Sequence, residues 1–331
     1  MDMATDSKHD TKKLERFVIF PIQYPSIYDL YQKQKTSFWV TEEIDLSQDR
    51  RDFELLKPAE QKMLKHIFAF FAASDLIVNE NIGRFIEETP FPESRLFYGL
   101  QMGMETIHAE TYAKVIEECV RDKQEQNDLF RAILNLDGVR RKSQWAIDYT
   151  ESKTKSFSER LVAYVIVEGI FFQNAFVVIF YLKDKYPGKL PGVVLSNDFI
   201  SRDEALHADH GVEQYKLLPA SDKITQQQAE QIFKSAFEME KFFIEGFLED
   251  DILGLNRLLF VQYTQYMCDY WLAQLGFSKM YNSKNPFAFM ENISLQPRTN
   301  FFERRNREYQ RGKSVDPSIQ TKSFQGTNMD F

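Results

Sequence analysis

Apolar residues recur at three- and four-residue intervals along most of the chain, which predicts helices. Pro58 fits the first turn of a helix running to about residue 88, and TPFPE over 89–93 breaks it. A second helix is expected over 93–121 and a third over about 128–150. A fourth covers 158–184 and stops at Tyr186-Pro187-Gly188. A fifth starts near Leu190 and carries SNDFISRDEALHADHGVEQYKLL, and two more fit 223–250 and 254–275. No segment shows the strict alternation of a strand. Residues 1–15 are polar and read as a flexible N-terminal segment. After about residue 280 the periodicity fades, and 312–331 reads as a disordered tail that nevertheless ends in an aromatic, Phe331. The expected organisation is a flexible segment over 1–15, a helical domain over 16–290 and a C-terminal tail over 291–331.

Composition sharpens this picture. Aromatic residues make up 15% of the 331, with 30 Phe and 15 Tyr, which suits a large dry interior. Gly (13) and Pro (11) are scarce, as long helices require. The net charge of −8 argues against a nucleic-acid partner, for which a basic face is expected. Two cysteines, Cys119 and Cys268, fit a reducing cytoplasm better than a disulfide scaffold, and the polar N-terminus has no signal core. One stretch, LVAYVIVEGIFFQNAFVVIFYL over 161–182, is long and apolar enough to span a bilayer. Glu168 lies inside it, with Gln173 and Asn174 close by, so the buried centre of a large bundle is the better reading and no membrane is expected.

Two Glu-x-x-His pairs stand out: Glu105/His108 in METIHAETY and Glu204/His207 in SRDEALH. Residues three apart share a helix face, so each pair can offer a carboxylate oxygen and an imidazole nitrogen to one ion. Two further carboxylates lie in strongly apolar surroundings, Asp75 in FFAASDLIVNEN and Glu168 in VEGIFF. The chain therefore repeats one order twice, a lone carboxylate on one helix and then Glu-x-x-His on the next. Four-helix di-metal carboxylate proteins are built this way. Four clustered carboxylates carry about −4 and would repel or protonate if unpaired, whereas two divalent ions supply about +4. Oxygen and imidazole ligands suit iron or manganese better than a closed thiolate zinc site.

Each of these residues has a blander reading taken alone. Asp75 would be bonded to a neighbour, Glu105 and Glu204 would be solvated, and His108 and His207 would be satisfied core histidines. Glu168 is the hardest to explain that way, because little nearby is polar. His66 and His210 lack such partners and are read as structural. Tyr112 follows His108 by one helical turn, which would set a phenol near the ions. Phe172, Phe176 and Ile200 are spaced to line a dry pocket around that phenol, although core packing alone would also use them.

FFAASDLIVNEN, METIHAETY, VEGIFF and SRDEALH, in this order and spacing, resemble the class I ribonucleotide reductase small subunit, most closely its eukaryotic and large-DNA-virus type. The likeness runs from about residue 17 to the C-terminus. It implies an all-α, ferritin-like helical bundle with a di-metal carboxylate site in its core. The ligands it implies are Asp75, Glu105, His108, Glu168, Glu204 and His207, holding two iron ions, with manganese as the other candidate metal. Dioxygen would be activated there to leave a neutral radical on Tyr112. Trp39 in SFWVTEEID and Tyr309 in NFFERRNREYQR match the residues that pass the radical onward. Asp203 matches the aspartate linking that tryptophan to a ligand histidine, here His108. Read alone, Trp39 would be a core or interface aromatic, Asp203 a solvated charge or an orienting partner, and Tyr309 an ordinary exposed residue among arginines.

The resemblance further implies a homodimer whose C-terminal tail docks into a large subunit holding the nucleotide and the reducing cysteines. Ribonucleotide reduction would need both. The sequence departs from close eukaryotic relatives at Leu76, where Gly is frequent, and its last residues match the family tail only in part. No ligand is missing, which argues against inactive scaffold subunits, and Tyr112 argues against the branch that stores oxidising power in a manganese–iron pair. Three other readings compete. A di-iron oxygenase or oxidase would share the ligands but need an open substrate pocket, and would not need Trp39 with Tyr309. A ferritin-like iron store would not explain the tail. A purely structural subunit would not keep the ligands.

Overall fold

A computed structural model describes residues 18–248 and 255–290, apart from the side chains of Asp75, Leu76 and Thr150. Its elements are helical. They are α1 (Pro25–Thr36), α2 (Asp49–Glu54), α3 (Pro58–Glu88), α4 (Pro92–Cys119), α5 (Lys123–Phe130), α6 (Ala132–Asn135), α7 (Asp137–Thr150), α8 (Phe157–Ile166), a π-helical turn (Val167–Phe171), α9 (Gln173–Lys185), α10 (Pro191–Leu217), α11 (Gln226–Phe247) and α12 (Arg257–Gln274). The chain divides into the units Met1–Phe287 and Ala288–Phe331, and every one of these helices lies in the first.

The starts of the helices are written locally. Proline occupies the first turn of α1, α3, α4 and α10, where its missing N–H is not needed. Ser156 and Thr225 accept from the third residue of α8 and α11, and the Glu159 and Gln228 side chains reciprocate. The N-terminus of α10 is capped from a distance. Asp49 accepts from Gly192 and Val193 N–H at 3.0 and 2.8 Å, and Asp52 accepts from Leu190 N–H at 3.1 Å. These carboxylates answer the orphaned amides of that helix end.

Helices α3, α4, the α8–π–α9 rod and α10 form the bundle that matters here. α3 lies along α4, and α10 crosses α4 and both halves of the rod. α1 covers α4 and α10, while α7, α11 and α12 flank the other side. The rod is the apolar stretch in which the sequence allowed a membrane span. Within the fold, 94% of its most apolar window is buried, and Glu168 and Asn174 sit inside with protein partners. A helix buried on all sides accounts for its composition. Phe68, Phe70, Phe71, Phe85 and Phe97 are essentially solvent-free in the same interior. Each stabilises the fold by about 1.5–3 kcal/mol through burial.

The structure departs from the sequence reading in three places. α1 and α2 were not anticipated. The expected helix over 128–150 is three pieces, α5, α6 and α7. The expected helix over 158–184 is interrupted by the π turn, which falls on Glu168.

Candidate metal centre

Two helices and the π turn deliver their chemistry to one point. α4 supplies Glu105 and His108, the π turn supplies Glu168, and α10 supplies Glu204 and His207, all with no solvent exposure. One ligand atom each from Glu105, Glu168, Glu204 and His207 lies within 4.8 Å of the others. His108 joins them, with Nδ1 3.0 Å from Glu204 Oε1 and 3.3 Å from Glu105 Oε2. His207 Nδ1 stands 3.0 Å from both Glu105 Oε1 and Glu204 Oε2, and 3.9 Å from Glu168 Oε2. Both imidazoles thus turn Nδ1 to the carboxylates. Glu168 Oε2 is buried without a hydrogen-bond donor among the described residues. Asp75 lies on α3, and its side chain is outside the described residues.

The electrostatics fit a cation site. Burial drives Glu168 well above the ordinary carboxylate range, and Glu204 and Glu105 push it further up. Burial would also raise Glu105, but His207 and His108 outweigh it and hold that carboxyl at about 2. Burial disfavours both imidazolium ions, yet the hydrogen bonds His108 donates to Asp203, Glu105 and Glu204 hold it well above its usual range. Glu105 and Glu204 hold His207 at about 9. Glu168, His108 and His207 are thus each biased toward their protonated forms, and divalent ions would displace those protons. Buried oxygen and imidazole donors in this number suit iron or manganese.

Neighbouring residues orient these groups. His108 Nε2 lies 3.3 Å from Asp203 Oδ2, and Trp39 Nε1 donates to the same oxygen at 2.7 Å. Trp39 is buried and stacks on His108, with ring centroids 5.8 Å apart and planes 19° apart. Arg202 donates to the other Asp203 oxygen at 3.0 and 2.7 Å. Burial would raise Asp203, but Arg202 and then His108 keep it below the usual range, so it stays an acceptor. The structure thus brings Trp39, Asp203 and His108 into one line.

Tyr112 is buried one turn beyond His108 and stacks face to face on Phe71, at 4.2 Å and 7°. Phe71 in turn stacks on Phe176 at 5.3 Å and on Phe172 at 6.1 Å. Ile200 is fully buried on α10. The aromatic wall expected around the phenol therefore reaches Tyr112 through Phe71, a residue the sequence reading did not single out. Tyr309 and Phe331 lie outside the described residues. His210 lies 3.1 Å from Ser94 Oγ and stacks on Phe97, and His66 meets Phe243 edge-on, which are packing roles.

Two glutamines were also missed. Gln101 Nε2 donates to Glu105 Oε1 at 3.0 Å and to Glu168 Oε1 at 2.9 Å, while its Oε1 accepts from Tyr164 OH at 2.7 Å. Its position, one turn before Glu105 on α4, was the available signal. Gln34 Nε2 lies 3.2 Å from His207 Nε2, and Gln34 Oε1 is buried without a partner among the described residues. Turning that amide over would let Oε1 accept from Nε2–H, the tautomer in which His207 Nδ1 can give its lone pair to an ion.

An all-helical, ferritin-like bundle with a buried Glu/His cluster able to bind metal defines the class of protein. Comparison with known proteins narrows it. Residues 16–286 match the family described as ribonucleotide reductase, small chain. The chain is 45% identical over 297 residues to ribonucleoside-diphosphate reductase subunit M2 of Danio rerio, covering 89% of this chain and 76% of that one. It is 45% identical over 301 residues to the ribonucleoside-diphosphate reductase small chain of Yaba-like disease virus, covering 90% and 91%. Among solved structures, it is similar to the ribonucleotide reductase Rnr4 homodimer of Saccharomyces cerevisiae. That match has a TM-score of 0.76 at 30% identity and covers 92% of this chain and 96% of that one. The chain belongs to the ribonucleotide reductase small-chain family.

Proposed function

We propose that this chain is the radical-generating subunit of a class I ribonucleoside-diphosphate reductase, storing an oxidising equivalent on Tyr112 and delivering it to a large subunit that holds the nucleotide. In this reading Asp75, Glu105, His108, Glu168, Glu204 and His207 hold two ions, which we assign as iron. When bound, two ferrous ions would supply two of the four electrons that reduce dioxygen, the Tyr112 phenol would supply one, and an external reductant such as a further ferrous ion would supply the fourth. The work of the chain is to position and to keep dry. Tyr112 is buried against Phe71, so its radical is shielded from water and external reductants. Loss of an electron makes a phenol strongly acidic, so its proton must leave with the electron.

The observation that carries the reading is the line out of the centre. Asp203 Oδ2 accepts from Trp39 and faces His108 Nε2, so one carboxylate couples an oxidisable indole to a ligand histidine. An iron store or an oxidase acting on its own substrate has no need of that link. Asp203 holds the indole N–H through a charge-assisted bond, and can take its proton when Trp39 is oxidised. We assign Tyr309 as the next carrier and the C-terminal tail as the docking segment. A homodimer fits the assembly named for the yeast relative.

The test pairs the chain with a large subunit. Trp39→Phe and Tyr309→Phe should each form the Tyr112 radical on iron and dioxygen treatment yet give no deoxyribonucleotide. Turnover at the parental rate in either variant would remove that residue from the path. Substrate oxidation by this chain alone would favour the oxidase reading.

A further inference from the structure

The π turn that carries Glu168 is clamped from outside the metal centre, at two carbonyls. A π turn adds one residue to the helical ladder, so some carbonyls lose their regular amide donor. Trp271 Nε1 on α12 donates to Gly169 O at 2.7 Å. Lys142 Nζ on α7 donates to Phe171 O. The indole lies so close to Gly169 that a Cβ there would overlap it. Glycine is thus required by proximity, and the turn and α12 are fitted to each other.

Lys142 is an unusual donor. It is 1% exposed, and its ammonium stands 2.6 Å from Glu240 Oε1 on α11, which is itself fully buried. Asn174 on α9 donates to Glu240 Oε2 at 2.6 Å and to Thr264 Oγ1 on α12 at 2.8 Å. The Lys142 ammonium also sits over the faces of Phe70 and Phe243, at 4.0 and 3.9 Å from their centroids. A buried ion pair is a poor source of stability, since desolvation offsets most of its attraction. This pair draws α7, the π turn, α9 and α11 to one point, and α12 is tied in through Asn174 and Thr264.

We infer that Lys142, paired with Glu240, and Trp271 are positioning residues that hold the π turn so that Glu168 faces the ions while Phe172 and Phe176 face the Tyr112 wall. This inference rests on the two-ion reading proposed above. The geometric reason is the register of the rod. One residue turns a helix by about 100°, so relaxing the π turn to α-helix would rotate one half against the other by that amount. Glu168 would leave the cluster, or Phe172 and Phe176 would leave Phe71. The two carbonyl bonds oppose that slip.

The test is Mn(II) binding to the full chain, by equilibrium dialysis and electron paramagnetic resonance, with thermal melting followed separately. The parent should take two ions per chain and show a spin-coupled pair. Trp271→Phe keeps an aromatic ring but loses the donor, and Lys142→Met loses the other. Each should weaken the second ion by about 10–100-fold, the range for groups that orient ligands, and show an isolated Mn(II) spectrum. Lys142→Met leaves Glu240 unpaired and can misfold, so Lys142→Met/Glu240→Leu removes both charges and should fold. It should still bind the second ion weakly, because Phe171 O lacks its donor. A coupled pair at parental affinity in Trp271→Phe and in the double variant would overturn the inference, whatever their melting temperatures. A parent that binds fewer than two ions would overturn the two-ion reading and this inference with it.

Discussion

Replacing Gln101 with leucine tests the geometry of the site most sharply without any metal. The side chain is fully buried and makes three hydrogen bonds. Glu105 is ionised, so losing its donor costs about 2 kcal/mol, whereas Glu168 is pushed toward its neutral form and its bond is worth about 1 kcal/mol. The Tyr164 hydroxyl loses its acceptor in a solvent-free interior, which costs about 2 kcal/mol more. Gln101→Leu should therefore destabilise the metal-free chain by about 4–6 kcal/mol, a large share of the stability of an ordinary domain. Tyr164→Phe removes the hydroxyl beforehand, so in that background the same substitution should cost only about 3 kcal/mol. Guanidinium unfolding of the four chains, followed by circular dichroism with chelator present, gives the coupling directly. Additive costs, within about 0.5 kcal/mol, would mean that Gln101 does not bridge Tyr164 to the carboxylates.

Other expectations follow from single contacts. Asp203→Asn keeps the shape but weakens the charge-assisted bond to Trp39. Stored radical should form normally while turnover with a large subunit falls at least tenfold, read by product assay beside electron paramagnetic resonance; unchanged turnover would contradict the Trp39–Asp203 link. Asp49 is raised by burial to about 6, against which the Gly192 and Val193 amides are insufficient. An acid with a raised folded pKa favours the folded chain most below its unfolded value near 4, and loses that contribution as pH rises through 6. The melting temperature of the parent minus that of Asp49→Asn should thus grow as pH falls from 7 to 4, and a flat or opposite trend would refute the assignment. Gly169→Ala should cost about 1–3 kcal/mol through overlap with Trp271, measured by the same unfolding assay; a neutral result would mean the indole moves freely.

The long helices and the ligand spacing were legible because both are local. Glu105 and His108 sit three apart on α4, Glu204 and His207 three apart on α10, and the structure gathers all four with Glu168. α1 was not legible, since only Ile27, Leu30 and Gln34 of its twelve residues are buried, too few to mark a face. The π turn was hidden for the opposite reason. Every residue from Leu161 to Phe172 is buried, so an inserted residue disturbs no apolar periodicity. Gln34 acts on His207 from 173 positions away, and that pairing exists only in the fold. Lys142 ends the run VRRK and reads as one more solvated base until α11 places Glu240 beside it.

The central claim is that Tyr112 stores the oxidising equivalent of a two-ion centre. The most direct measurement is electron paramagnetic resonance on metal-free protein given ferrous iron and dioxygen, with Tyr112→Phe in parallel. A tyrosyl signal in the parent, absent from the variant at equal iron content, is the result this account predicts. Two irons bound per chain with no tyrosyl radical, or a radical that survives in Tyr112→Phe, would contradict it.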